Sequence, residues 1–245
     1  MGSSIASYVL QYVGQAIEVG LVLYLVRSSE WKRLGGVALY VTSLLVAGPG
    51  RMYAAHKHGV ASLQYFYVYW STDFLLVISA FLLVCFLFRR ACREEEKLWR
   101  FVRLLLVFVF VLVVGISGLV FSRNYSHLFN RFVIEFNQNL YFTCLVLNTL
   151  LYLLLQYIES TDDQLGLLVC GVGIQFAGPA ATLALLHLTA LERFAQSLNS
   201  LVMRFCTFGM LLVWAYAIVR VKDKTIKVTR REIPVLAEVT ANLNV

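Results

Sequence analysis

The chain has 245 residues, 60% hydrophobic and 14% charged, with a mean hydropathy of +0.74, against roughly 45–50% apolar and about 25% charged in a soluble domain. That composition excludes an ordinary soluble enzyme, a disordered chain and a disulfide-stapled secreted domain. The 21 basic and 14 acidic residues leave a net charge of +7, which need not mean nucleic acid, because membrane proteins collect Lys and Arg in their cytoplasmic loops.

A hydrocarbon core about 30 Å thick requires roughly 20 mainly apolar residues per spanning helix. Seven stretches satisfy this in chain order: Ile5–Val26, Leu34–Tyr53, Ser62–Phe88, Phe101–Phe121, Phe132–Tyr157, Gln164–Leu188 and Leu198–Val221. None shows the sustained two-residue alternation of a barrel strand. Met1–Ser7 has no basic residue, and the first run carries Gln11, Gln15 and Glu18. It therefore reads as a retained helix, not a cleaved signal. The expected fold class is all-α: a seven-helix transmembrane domain over residues 1–221 and a basic tail over 222–245.

Orientation follows from the basic residues. The first, third and seventh runs are followed by Arg27, Lys32, Arg33; by Arg89, Arg90, Arg93, Lys97, Arg100, Arg103; and by Arg220, Lys222, Lys224, Lys227, Arg230, Arg231. The other side holds Arg51, Lys57, Arg123, Arg131, Arg193 and Arg204. Fifteen against six places the N-terminus outside and the C-terminus in the cytoplasm of a plasma or inner membrane. Trp31 and Trp99 fall where inner interfacial anchors are expected.

Ionisable residues inside a span are functional candidates by default. The first helix aligns Gln11, Gln15 and Glu18 on one face, and the third aligns Phe66, Trp70 and Asp73. The fifth stacks Arg131, Glu135 and Asn139, and the seventh stacks Gln196, Ser200, Arg204 and Thr207. Arg51 closes the second helix. Three readings fit these faces: helix-to-helix glue, a cavity open to the outer face, or an ion or proton relay through Glu18 and Asp73. The cavity reading assigns a ligand to Gln15, Phe66, Trp70, Asp73, Glu135, Asn139 and Arg204, and expects Arg204 to pair with Glu135 or Asp73.

No metal site or other cofactor is expected. His56, His58, His127 and His187 fall at the outer side without the spacing of helical metal ligands, and Cys85, Cys92, Cys144, Cys170 and Cys206 form no C-x-x-C pair. Hydrolase, zincin, P-loop and dinucleotide signatures are absent. All six lysines lie outside the spans, which excludes a retinal Schiff base. The reading is therefore non-catalytic.

The aromatic opening Tyr65, Phe66, Tyr67, Tyr69, Trp70, then mid-span Asp73 and a basic inner loop, resembles uncharacterised seven-helix membrane proteins of acidobacterial type. That likeness covers the first half of the chain and implies no activity. Seven helices with an outer N-terminus is also the topology of heptahelical receptors, although D-R-Y and N-P-x-x-Y are absent. A second comparison is with SWEET-type sugar transporters, built as a 3+1+3 parallel repeat. Ala47-Gly48-Pro49 recurs as Ala177-Gly178-Pro179 at an offset of 130, although the family's Pro-Gln motif is missing.

The leading expectation is a receptor-like or sensor-like protein that binds a small ligand or a partner from the outer side. The alternatives are SWEET-like transport and a structural subunit of a membrane assembly. Expected partners are the bilayer, a small molecule at the outer face and a membrane or cytoplasmic protein, with no nucleic acid. In a cysteine-free background, single cysteines beside Lys57 and Lys224 are expected to react with an impermeant thiol reagent from outside and from inside respectively. The reverse labelling pattern overturns the orientation.

Overall fold

The computed structural model describes residues 5–28, 33–93, 95–122, 128–158, 162–188 and 202–219, and every regular element among them is helical. In chain order these are α1 (Ile5–Arg27), α2 (Gly35–His58), α3 (Leu63–Ala91), α4 (Glu96–Ser122), α5 (Leu128–Tyr157) and α6 (Asp163–Leu188). The seventh, α7, covers Val202–Val219. Four helices, α3, α4, α5 and α7, contain segments long and apolar enough to cross a membrane. The chain is thus a helical bundle with the composition of a membrane protein. The proposed tail, 222–245, lies outside the described residues.

Several helices are longer than their apolar runs suggest, and α2 matters most. Helix α2 continues past Tyr53 to His58, placing His56, Lys57 and His58 on its last turn, and Gly59 ends it with φ of 79°. Ser62 then starts α3 by accepting a hydrogen bond from Tyr65 N at 3.1 Å. This extension carries Arg51 about 10 Å inside the end of α2 instead of leaving it at the rim.

Consecutive helices pack side by side, and α3 sits centrally, touching α2, α4, α5 and α6. Helix α7 seats against α6 and α2. The Trp214 indole donates to Leu168 O at 3.1 Å and meets the Tyr40 ring edge-on at 5.9 Å between centroids. Gly171 makes room for that indole: a Cβ there would lie 2.5 Å from Trp214 Nε1. At the α2–α3 contact, Gly36 admits Phe86 in the same way, at 2.8 Å from a hypothetical Cβ. Small residues that let helices approach closely are the usual packing device where lipid supplies no hydrophobic drive between them.

The offset of 130 extends beyond the repeated triplet. Buried Gly14, Glu18, Leu21 and Leu25 of α1 correspond to buried Cys144, Asn148, Leu151 and Leu155 of α5. Buried Ala80, Phe81, Val84, Leu87 and Phe88 of α3 correspond to buried Met210, Leu211, Trp214, Ala217 and Ile218 of α7. The triplet itself plays different parts in the two halves. Gly48 lies against the Gln15 amide of α1, whereas Gly178 lies against Cys206 of α7.

The Gly171 contact yields a direct stability test. Gly171→Ala is expected to destabilise the protein in detergent by about 1–3 kcal/mol, because a rigid indole must move. Gly166→Ala, where a Cβ meets nothing within 4 Å, should leave the thermal unfolding midpoint unchanged or slightly raised.

Candidate functional site

The α2–α3 hairpin positions the central polar group. Residues equally distant from the turn of an antiparallel helix pair lie side by side. Arg51, seven residues before the end of α2, therefore falls beside Trp70 and within a turn of Asp73 on α3. Its Nη2 meets Asp73 Oδ1 at 3.1 Å and Tyr69 O at 3.4 Å, and its Nε donates to Thr72 Oγ1 at 2.7 Å. The guanidinium lies 4.3 Å over the Tyr69 ring. From α5, Asn137 Nδ2 donates to Asp73 Oδ2 at 2.7 Å. One carboxylate thus fastens three helices.

An aromatic surface adjoins this junction along α3. Tyr69 and Trp70 meet edge-on at 5.5 Å, and Phe66 lies 5.9 Å from Trp70. Both Phe66 and Trp70 are half-buried. Further in, Tyr40 lies within electrostatic reach of both Glu18 and Asp73, and its hydroxyl faces the Gln175 side chain. Glu18 is buried at 7% exposure and has no hydrogen bond to a described residue.

The sequence-derived residues therefore divide. Phe66 and Trp70 are in contact on α3, and Asp73 follows them along the same helix. Gln15 packs on Gly48 at the α1–α2 contact. Asn139 turns to α4, where its amide donates to buried Ser117 Oγ at 3.5 Å. Asn137, two residues earlier and so on the opposite face of α5, supplies the amide to Asp73. Arg204 is exposed on α7 and makes no ion pair or hydrogen bond with a described residue. Asp73 takes Arg51 as its cation instead. The Glu135 side chain lies outside the described residues.

A second polar junction occupies the other end of α3. Arg90 Nε and Nη2 donate to Asp162 Oδ2 at 3.0 and 2.7 Å, and Nη2 also reaches Gln164 Oε1 at 2.9 Å. Asp162 caps α6 by accepting from Leu165 N at 3.1 Å, and Gln164 Nε2 donates to Ala217 O of α7 at 3.3 Å. This clamp ties α3, α6 and α7. Read from sequence, Arg90 counted only as a topology charge. The available signal was Asp162 placed just before an apolar run, where an N-cap belongs.

Among the described residues no group of three or more His, Cys, Asp or Glu could hold a metal ion. Cys92, at the end of α3, is buried, and burial pushes its thiol up, which makes it a poor nucleophile for acylation. No known family matches the chain, and no curated protein or solved structure is significantly similar to it.

Removing one member of the Arg51–Asp73 pair leaves the other unpaired in a low-dielectric interior. Asp73→Leu is expected to cost about 3 kcal/mol in detergent, and the double variant with Arg51→Met should recover part of it. Arg204→Met should change stability by less than about 0.5 kcal/mol. Equal losses at Arg51 and Arg204 in thermal unfolding would contradict this assignment.

Proposed function

We propose that the protein is a non-catalytic, seven-helix integral membrane protein of the plasma or inner membrane. In this reading the N-terminus is outside, the C-terminus is cytoplasmic, and a small ligand reaches the Arg51–Asp73–Asn137 junction from the outer side. The fifteen-to-six bias in basic residues supports the orientation. It places the α2–α3 turn outside and the Arg90 clamp inside.

One observation carries the ligand-binding reading. The Arg51 and Asp73 side chains keep 24% and 19% of their surface exposed, although they lie about 10–15 Å along their helices from the outer turn. Hydrocarbon cannot solvate a guanidinium or a carboxylate, and groups at such depth face the bundle interior or a water-filled cavity. In this reading the exposed surface of the pair opens to a polar space beside the aromatic side chains Phe66, Tyr69 and Trp70 of α3. A few convergent polar groups on a largely apolar wall is the composition of a ligand site.

A receptor or sensor role fits because α3 connects this junction to the inner clamp. Asp73 and Arg90 share one helix, 17 residues apart, about 25 Å along its axis. A ligand that moves α3 at the outer junction loads the contacts of α6 and α7 at the other end. Transport of a small solute is the second reading, favoured by the recurrence of buried positions at the offset of 130 in α1/α5 and α3/α7.

Water access to the junction is the deciding measurement. In a cysteine-free background, Phe66→Cys and Trp70→Cys are expected to react with a charged, membrane-impermeant thiol reagent added from outside. Val111→Cys, on an exposed apolar face of α4, should stay unreacted as a lipid-facing control. If the α3 cysteines are as silent as the control, both ligand readings fall and the structural-subunit role is left.

A further inference from the structure

The Arg51–Asp73–Asn137 junction satisfies its members incompletely. A guanidinium has five N–H donors. Those on Nε and Nη2 are engaged with Thr72, Tyr69 and Asp73, while Nη1 has no hydrogen-bond partner among the described residues. Across the carboxylate, Asn137 is 3% exposed, and its Oδ1 is buried with no partner among the described residues. The amide orientation is fixed by chemistry. Rotating it would set the amide oxygen against Asp73 Oδ2, so the nitrogen faces Asp73 and the oxygen is the free atom. Buried polar atoms are rarely left without partners, and one that is calls for a guest or a solvent molecule.

These two free groups are opposite in kind, and they flank a pair whose charges already cancel. A net-charged guest would add an uncompensated charge to a low-dielectric site. A guest that is neutral overall but carries an anionic acceptor at one end and a cationic donor at the other leaves the balance unchanged and fills both vacancies. We propose that the junction is a binding site for a small zwitterion, such as an amino acid or amino sulfonate. Its carboxylate or sulfonate lies on Arg51 Nη1, and its ammonium lies on Asn137 Oδ1 beside Asp73 Oδ2. Trp70, packed against Tyr69, provides an aromatic face suited to an ammonium. This assignment rests on the outward opening argued above and adds the chemical class of the ligand.

The test uses the purified full chain in detergent, with glycine, γ-aminobutyrate and taurine as zwitterionic probes at millimolar concentration. Acetate and ethylammonium serve as the matching single charges. At least one zwitterion is expected to raise the thermal unfolding midpoint, while neither single-charge probe does. Arg51→Lys, which keeps the cation but loses Nη1, and Asn137→Leu, which loses the amide oxygen, should each weaken the effect by roughly tenfold or more. Should either variant fail to fold, protection of the Phe66→Cys thiol from labelling by the same zwitterion gives the equivalent readout without touching the junction. Equal shifts from acetate or ethylammonium, or no shift and no protection from any zwitterion, overturn the proposal. If Phe66→Cys is labelled but unprotected, the ligand class is wrong and the opening survives. If it is not labelled at all, both fail.

Discussion

A carboxylate about 15 Å along a helix in an apolar bundle has little solvent to hold its charge, so the chain must supply most of its partners. Asp73 obtains a cation from α2 and an amide from α5, and both arrive only when the three helices take one relative rotation and depth. Rotating any of the three by one residue, about 100°, separates donors from acceptors. The junction therefore acts as a register pin for α2, α3 and α5. Much of the remaining architecture can be understood as what is packed around that pin.

At the other end of α3 the same constraint recurs with different parts. Arg90 finds Asp162 and Gln164 on α6, and Gln164 passes the connection to the α7 backbone at Ala217. Between the two polar ends, packing relies on close approach. Gly36 accepts Phe86 and Gly171 accepts Trp214, so dispersion and shape fix the separations where no polar group reaches. Helix α3 is thus joined to its neighbours by polar contacts at both ends. Helix α4, with a broad exposed apolar face, contributes little to either junction.

The two halves of the chain share a burial register at the offset of 130, yet their chemistry has diverged. Where α1 buries Glu18, α5 buries Asn148, whose amide donates to Val169 O at 3.3 Å. Where α3 carries Val84, α7 carries the Trp214 indole that seats it on α6. The charged Arg51–Asp73 junction has no counterpart in the second half, since Arg51 and Asp73 correspond to Ala181 and Met203. A common framework thus holds one specialised polar site, located where the first half meets α5.

Composition and apolar run lengths, by themselves, determined the membrane class, the helical fold and the approximate bounds of the helices, because hydrocarbon admits only segments that satisfy their own backbone. The alignment of Phe66, Trp70 and Asp73 was legible as well, since helical periodicity fixes which side chains share a face. The partner of that face was not legible. A cost argument asked for an acid beside Arg204, with Glu135 or Asp73 as candidates, while Arg51 was placed at the outer end of its helix. Pairing Asp73 with Arg51 required the true end of α2, which runs a turn beyond its apolar stretch because His56, Lys57 and His58 continue the helix past the apolar run. Likewise Asn139 and Asn137 are equally polar, and only the rotation of α5 decided that Asn137 meets Asp73 while Asn139 meets Ser117. Sequence records what each helix must hide. Tertiary structure decides from whom, because depth and rotation between helices are set by the packing of all their faces at once.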